Sequence, residues 1–335
     1  MRSIALDVMG GDFAPCEIIK GAKSTLENEN IKLYLVGLEK SVKECLEKVG
    51  FKHYDKIEIV DAPEVVTMKD TIMSYLRGKK KSSIKLALDL VKNRIAEGMF
   101  SAGNTGAVMV NAKFILEPIE GIKRPALAVV FPTQNRESII LDVGANADCK
   151  PEHLFQFAIM GTIFSEEILG KENPSVGLMS IGEETLKGNK LTKETFKLLS
   201  NSNLNFKGNI EGHVIHQGIV DIIVTDGFTG NVALKVAEGM AENLYGHFKN
   251  TLTRNILHKM GLLLLWSGLR KLKKKLDYSE YGGAILLGVK GVVVIGHGRS
   301  RVKAIKNGLL TTKKMIESQV DIKIAEKLKE VNIGE

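Results

Sequence analysis

The stretch Ile219-Val-Asp-Ile-Ile-Val-Thr-Asp-Gly-Phe-Thr-Gly-Asn231 decides the fold. Its centre, Ile222-Ile223-Val224, is a continuous β-branched run rather than an apolar–polar alternation, the mark of a strand buried on both faces of a sheet. A glycine–threonine turn follows, and after it a helical pattern over Asn231–Phe248. Strand, glycine turn and helix together form the βα half of a parallel-sheet unit.

The same alternation extends along the chain. Strands are expected at Ser3–Val8, Lys32–Val36, Lys56–Val60, Ala126–Phe131, Ser138–Val143, Ser175–Met179, Ile219–Thr225 and Gly291–Ile295. Helical patterns cover Glu17–Glu27, Val42–Val49, Ser83–Ala96, Glu152–Ile168, Lys190–Leu199, Asn231–Phe248 and Arg301–Val320. The class is therefore α/β, a three-layer αβα arrangement around a mostly parallel sheet, with ligands expected beyond the carboxyl ends of the strands. No Pro/Ser-rich linker divides the chain, so residues 1–335 are read as one region of two interleaved lobes.

Composition narrows the class further. An apolar content of 44% with 26% charged residues is ordinary for a globular protein of 335 residues. Cys16, Cys45 and Cys149 are odd in number, widely spaced and form no C-x-x-C pair, which reads as a reducing compartment without a disulfide framework or zinc site. Asp7 interrupts any apolar h-region of a signal peptide, and no stretch reaches the roughly 18 apolar residues of a membrane span. A cytoplasmic location is expected.

The net charge of +8 sits in one place. Between Asn243 and Leu276 there is no acid, while Lys249, Arg254, Lys259, Arg270, Lys271, Lys273, Lys274 and Lys275 carry eight positive charges; outside this segment 39 basic residues balance 39 acidic ones. Leu252, Ile256, Met260, Leu263, Trp266, Leu269, Leu272 and Leu276 recur there at spacings of three or four, with Leu262 beside them. An apolar face opposed by lysines is the pattern of an interfacial element meeting anionic lipids, and Gly261 and Gly268 favour a hairpin over about 245–277. A dimerisation helix pair and a docking face for an acidic protein are the alternatives. No nucleic-acid recognition motif accompanies the basic residues.

Two loops share one pattern. Ser101-Ala-Gly-Asn-Thr-Gly-Ala107 and Thr225-Asp-Gly-Phe-Thr-Gly-Asn231 both read [Ser/Thr]-x-Gly-x-Thr-Gly-x-Val, each leading from an extended segment into a helix. Glycines turn backbone N–H groups inward, and a helix N-terminus adds positive potential, which suits a small oxyanion such as phosphate. Ser101, Gly103, Asn104, Thr105 and Gly106 are the candidate phosphate ligands; tight βα turns needing glycine only for room are the bland alternative. Met9-Gly-Gly-Asp12 supplies Gly10, Gly11 and Asp12, the last also a candidate cap for a helix starting near Pro15. Leu141–Asn146 supplies Asp142 and Asn146; the second patterned loop supplies Asp226, Thr229, Gly230 and Asn231; Ser180–Gly188 supplies Lys187; and Gly296-His-Gly supplies His297. A G-x-S-x-G elbow, a Walker loop and a full dinucleotide fingerprint are absent, and His213 with His216 lacks the partners of a metal site. No cofactor or metal is expected.

In chain order, Leu6–Asp12 with Ala14-Pro15, Ser101–Ala107, Arg124-Pro-Ala126, Leu141–Asn146 into Asp148–Glu152, Ile181-Gly-Glu-Glu184 with Lys187-Gly188, Asp226–Asn231 and Glu280–Ala284 through His297-Gly298 resemble the PlsX family, the bacterial phosphate acyltransferases of phospholipid synthesis. Val8 and Phe13 stand where that family commonly has alanine and histidine. The resemblance implies a fold like phosphotransacetylases and the isocitrate/isopropylmalate dehydrogenases, and a homodimer. It implies the reaction of inorganic phosphate with acyl–acyl carrier protein, feeding a membrane glycerol-3-phosphate acyltransferase. That chemistry needs no triad, since phosphate is already anionic (second pKa about 6) and a thiol leaves at pKa about 8.5. Lys187 and Asn231 are then assigned to the oxyanion and His297 to charge or the departing thiolate. The rival readings are a phosphotransacetylase acting on acyl-CoA, a dehydrogenase of the same fold, and a non-catalytic membrane scaffold.

Overall fold

The structure, a computed structural model, describes residues 1–67, 70, 79–252, 265, 267–268 and 282–330. The strands are β1 (Arg2–Asp7), β2 (Ile31–Gly37), β3 (Ile57–Asp61), β4 (Gly98–Ser101), β5 (Ala126–Pro132), β6 (Glu137–Leu141), β7 (Val176–Ser180), β8 (Phe206–Glu211), β9 (Ile222–Val224), β10 (Ala284–Leu287) and β11 (Val292–Ile295). They form one sheet in the order β3-β2-β1-β4-β11-β10-β5-β6-β9-β7-β8. The helices are α1 (Cys16–Leu26), α2 (Glu39–Lys48), α3 (Ser83–Lys92), α4 (Thr105–Ile115), α5 (Pro151–Leu169), α6 (Lys190–Ser200), α7 (Gly227–Leu252), α8 (Val302–Ser318) and α9 (Val320–Glu330).

The helices sandwich the sheet because every central strand is apolar on both faces. In β1, Ile4 and Leu6 face one core and Ala5 the other, all three fully buried. Each such aliphatic side chain contributes about 1.5–3 kcal/mol by leaving water. Residues of α1, α2, α5, α6, α8 and α9 fill the first core. Residues of α3 and α4 fill the second, against which Ala233 and Leu234 of α7 also pack. This is the expected three-layer arrangement.

Three strands lie outside the expected set, each for a local reason. β4 and β10 are only four residues long beside glycines, and the edge strand β8 carries Lys207, Gly208 and Asn209 in its middle. The last expected helix breaks at Gln319, which adopts φ 52°, and the chain restarts as α9. α7 begins four residues earlier than its apolar pattern and continues to Leu252, so part of the expected hairpin region is the end of this helix.

Strand direction decides where the loops collect. β3, β2, β1, β4 and β11 run parallel, and so do β6, β9, β7 and β8 among themselves. Between the two blocks the pairs β11–β10, β10–β5 and β5–β6 are antiparallel. Three reversals are an odd number, so the blocks point in opposite directions. The carboxyl ends of β1, β4 and β11 therefore lie along one edge of the sheet and those of β6, β9 and β7 along the other.

One expectation is corrected outright. Cys16 and Cys45, 29 positions apart in sequence, form a disulfide with their Cα atoms 5.3 Å apart. Packing of α1 against α2 brings together two residues that no spacing rule connects, and cysteine usage therefore no longer argues for a reducing compartment. Cys149 is the free cysteine.

Candidate functional site

At the first edge, three glycine loops meet over a buried carboxylate. Asp7 ends β1 beside Ser101, the last residue of β4. Its carboxylate accepts the Ser101 hydroxyl at 2.6 Å and the Met9 N–H at 3.1 Å. Burial pushes the Asp7 carboxyl above its ordinary value, and these hydrogen bonds pull it partly back. The Ser101 Oγ in turn accepts the Gly103 N–H at 3.1 Å. Ser101 is fully buried, so its hydroxyl shapes the loop and does not face solvent. A Cβ on Gly10 would lie 2.6 Å from both the Asp7 carboxylate and the Gly103 nitrogen, so only glycine lets the two loops touch.

The third loop closes on these two. Gly296 donates its N–H to the Ser101 carbonyl at 2.8 Å, and Asp12 donates its N–H to the Gly298 carbonyl at 2.8 Å. Asp12 does not cap α1, whose N-terminus has no side-chain cap; its side chain is exposed beside the junction. Asn104 caps α4 by accepting the Ala107 N–H at 3.0 Å. Thr105 and Gly106 hold the first two helical positions, whose N–H groups have no acceptor within the helix. A neutral cap leaves this N-terminus its positive potential.

His297 is half-buried at the same junction and accepts the Arg299 N–H on Nδ1 at 3.1 Å, so in the neutral ring the proton sits on Nε2. Burial lowers its pKa below the ordinary value; Lys235 and Arg299 push it the same way, while Glu238 and Asp12 oppose them. Lys235 and Glu238 belong to α7 and pair at 2.8 Å, and one turn further Glu242 meets the Arg299 guanidinium at 2.9 Å. The middle of α7 thus borders the first edge. Asp7 and Lys235 were both missed by sequence reasoning. An acid ending an apolar strand was the available signal for Asp7, but nothing local distinguishes Lys235 from other surface lysines.

The second patterned loop lies at the opposite edge and is built differently. Asp142 is fully buried and accepts N–H groups from Leu127, Gly144, Ala145 and Asn146 at 2.7–3.1 Å, together with the Asn146 amide at 2.9 Å. Burial raises its pKa against those bonds. Asp226 caps α7, accepting the Thr229 N–H at 2.9 Å and the Thr229 hydroxyl at 2.8 Å. Gly230 belongs to the first turn of α7, where a Cβ would overlap the Asp142 carbonyl. The shared pattern therefore hides two registers, because the cap is the fourth residue of one motif, Asn104, and the second of the other, Asp226. Two carboxylates already occupy the positive ground of the second loop. Asn231 is exposed, with its side chain against Gly144.

The remaining candidates are scattered. Lys187 is exposed on the loop after β7, at the second edge, and that loop is tied to β8 by Asn209, which donates to the Glu184 carbonyl at 3.0 Å. No contact of Lys187 with the first-edge junction is seen among the described residues. Burial beside Asp142 pushes the Cys149 thiol up to about 12, which makes it a poor nucleophile. Leu262, Leu263, Trp266, Leu269, Lys271, Lys273 and Lys274 lie outside the described residues. Among the described residues no group of acids, histidines and cysteines could hold a metal, and no helix is long and apolar enough to cross a membrane.

A family model described as "Fatty acid synthesis protein" matches residues 2–323. A phosphate acyltransferase of Dictyoglomus turgidum is 48% identical over 330 residues, covering 98% of this chain and 98% of its own. Among solved structures, a phosphotransacetylase from Streptococcus pyogenes has a TM-score of 0.65 at 16% identity, covering 95% of this chain and 94% of that one. A 4-hydroxythreonine-4-phosphate dehydrogenase from Klebsiella pneumoniae has a TM-score of 0.53 at 11% identity, covering 97% of this chain and 100% of the other. The last two are likenesses of fold. The near-complete family match and the full-length relative together show that this chain belongs to the PlsX family of phosphate acyltransferases.

Proposed function

We propose that this chain transfers a fatty acyl group from acyl carrier protein to inorganic phosphate, giving acyl phosphate and free carrier protein. The observation that carries the reading is the neutrally capped N-terminus of α4, held against the loops of residues 10–12 and 296–298 at one edge of the sheet. Phosphate fits there, on the N–H groups of Thr105 and Gly106 with the Thr105 hydroxyl beside them. A phosphate oxygen attacks the thioester carbonyl, the C–O bond forms, and the tetrahedral oxyanion collapses with loss of the C–S bond. The proton of the monohydrogen phosphate ends on the departing sulfur. His297, kept neutral by its surroundings, offers Nε2–H to the oxyanion or the thiolate. Catalysis then rests on positioning and charge rather than on a strong base.

Residues 1–335 act as one catalytic region of two interleaved lobes in this reading. The protein works in the cytoplasm, peripherally associated with the membrane. The basic segment from Lys249 to Lys275 brings it to an anionic lipid surface, where a glycerol-3-phosphate acyltransferase consumes the acyl phosphate. The chain pairs with a second copy through α7, whose Phe228, Val232, Val236, Met240, Leu244 and Phe248 form an exposed apolar stripe at i, i+4 spacing. The test is phosphate-dependent acyl phosphate formation, trapped as the hydroxamate, with palmitoyl thioesters of carrier protein and of coenzyme A supplied separately. Product from the carrier-protein thioester supports the reading. Product from the coenzyme A thioester alone makes the chain a phosphotransacetylase, and no product from either removes the activity.

A further inference from the structure

α7 carries a second stripe, and it is polar. Asn231, Lys235, Glu238 and Glu242 fall at spacings of four, three and four, so they share one side of the helix, next to the apolar stripe. That side runs from the second edge of the sheet, where Asn231 sits against Gly144, to the first, where Glu242 holds Arg299 at 2.9 Å. Lys235 lies between these points, about 10 Å along the axis from Glu242. Its charge is felt by His297, whose neighbours Gly296 and Gly298 touch the loops at Ser101 and Asp12. The lysine is exposed and, among the described residues, pairs with Glu238 on its own helix, an arrangement that an arriving anion can displace.

We infer that Lys235 is a phosphate-binding residue of the first-edge junction, where its ammonium supplies the point charge that neutral amides and hydroxyls do not. The assignment rests on the phosphate reading of that junction. Lys187, the lysine singled out by sequence, follows β7 and so belongs to the opposite edge. Glu238 holds the ammonium at 2.8 Å, and on binding Lys235 exchanges this partner for the phosphate oxygens. A lysine suits the role because a flexible stem with a compact charge can move between two partners.

The experiment is calorimetric titration of the full chain with inorganic phosphate, which needs no turnover, alongside the kinetic KM for phosphate. Lys235→Met is expected to weaken phosphate binding at least tenfold, the loss of one charge-assisted contact. Lys235→Arg should restore part of it. The KM for the acyl thioester should stay within twofold, and the His297 titration followed by NMR should move up toward its ordinary value once the neighbouring charge is gone. Lys197→Met, which removes an exposed lysine from α6, controls for net charge. A Lys235→Met protein that melts normally and binds phosphate as the wild type does overturns the inference while leaving the phosphate site standing. A wild type that neither binds phosphate nor forms acyl phosphate overturns both.

Discussion

At the scale of residues, the glycine loops are organised by buried carboxylates more than by their glycines. Asp142 gathers four backbone N–H groups and one side-chain amide, and replacing it with alanine leaves those donors facing a cavity. Asp142→Ala should cost about 3–5 kcal/mol, read as a lower urea midpoint at pH 7. Asp221, at the start of β9, shows the pH side of the same physics. Burial raises its pKa, but hydrogen bonds from Ser175 and Lys171 outweigh this and hold the carboxyl below its ordinary 3.8. Arg136 adds a second cation at 3.1 Å. A depressed folded-state pKa gives stability that is present above the unfolded value and lost as pH falls through the folded one. Asp221→Asn should therefore destabilise by roughly 1–3 kcal/mol at pH 7, with the gap to wild type narrowing below about pH 4. Unfolding curves from pH 7 to pH 3 read this directly, and a pH-independent gap would sink it.

At the scale of elements, α7 is the least typical helix of the fold. Other helices bury an apolar face in one of the two cores, whereas α7 leaves an apolar stripe of about 30 Å in the open. Val236 is 63% exposed and Phe248 61%, so neither is needed for folding of the single chain. On the pairing proposed through α7, Val236→Glu should leave the melting temperature nearly unchanged and reduce the light-scattering mass from that of two chains to that of one. A variant that remains fully dimeric would show that the second copy docks elsewhere. The helix was legible in sequence from Asn231 onward. Its first turn was not, because Asp226-Gly-Phe-Thr-Gly230 looks like a loop until Asp226 is seen capping it.

At the scale of the whole molecule, the chain returns to where it began. β11 pairs with β4, Ile305 of α8 packs where a Cβ on Gly21 of α1 would stand, and Gly308 makes room for the Phe100 ring. Residues 1–282 alone would expose the edge of β4 and the apolar face of α1. Such a fragment should be insoluble or molten by near-UV circular dichroism and hydrogen exchange, and should not fold as a smaller domain. The α/β class, most of the strands and the identity of the glycine loops were already decided by local pattern, since burial on both faces forces continuous β-branched runs and tight βα turns force glycine. Strand direction was not, because antiparallel pairing of β5 and β10 leaves no mark on a short apolar run. That one property places Asp142, Lys187 and Asp226 at the edge opposite Asp7, Ser101 and His297. The sequence offered two matching anion loops; the tertiary structure separates them, fills one with the protein's own carboxylates, and leaves the other at a helix N-terminus whose first N–H groups have no acceptor within the helix, bordered by the middle of α7.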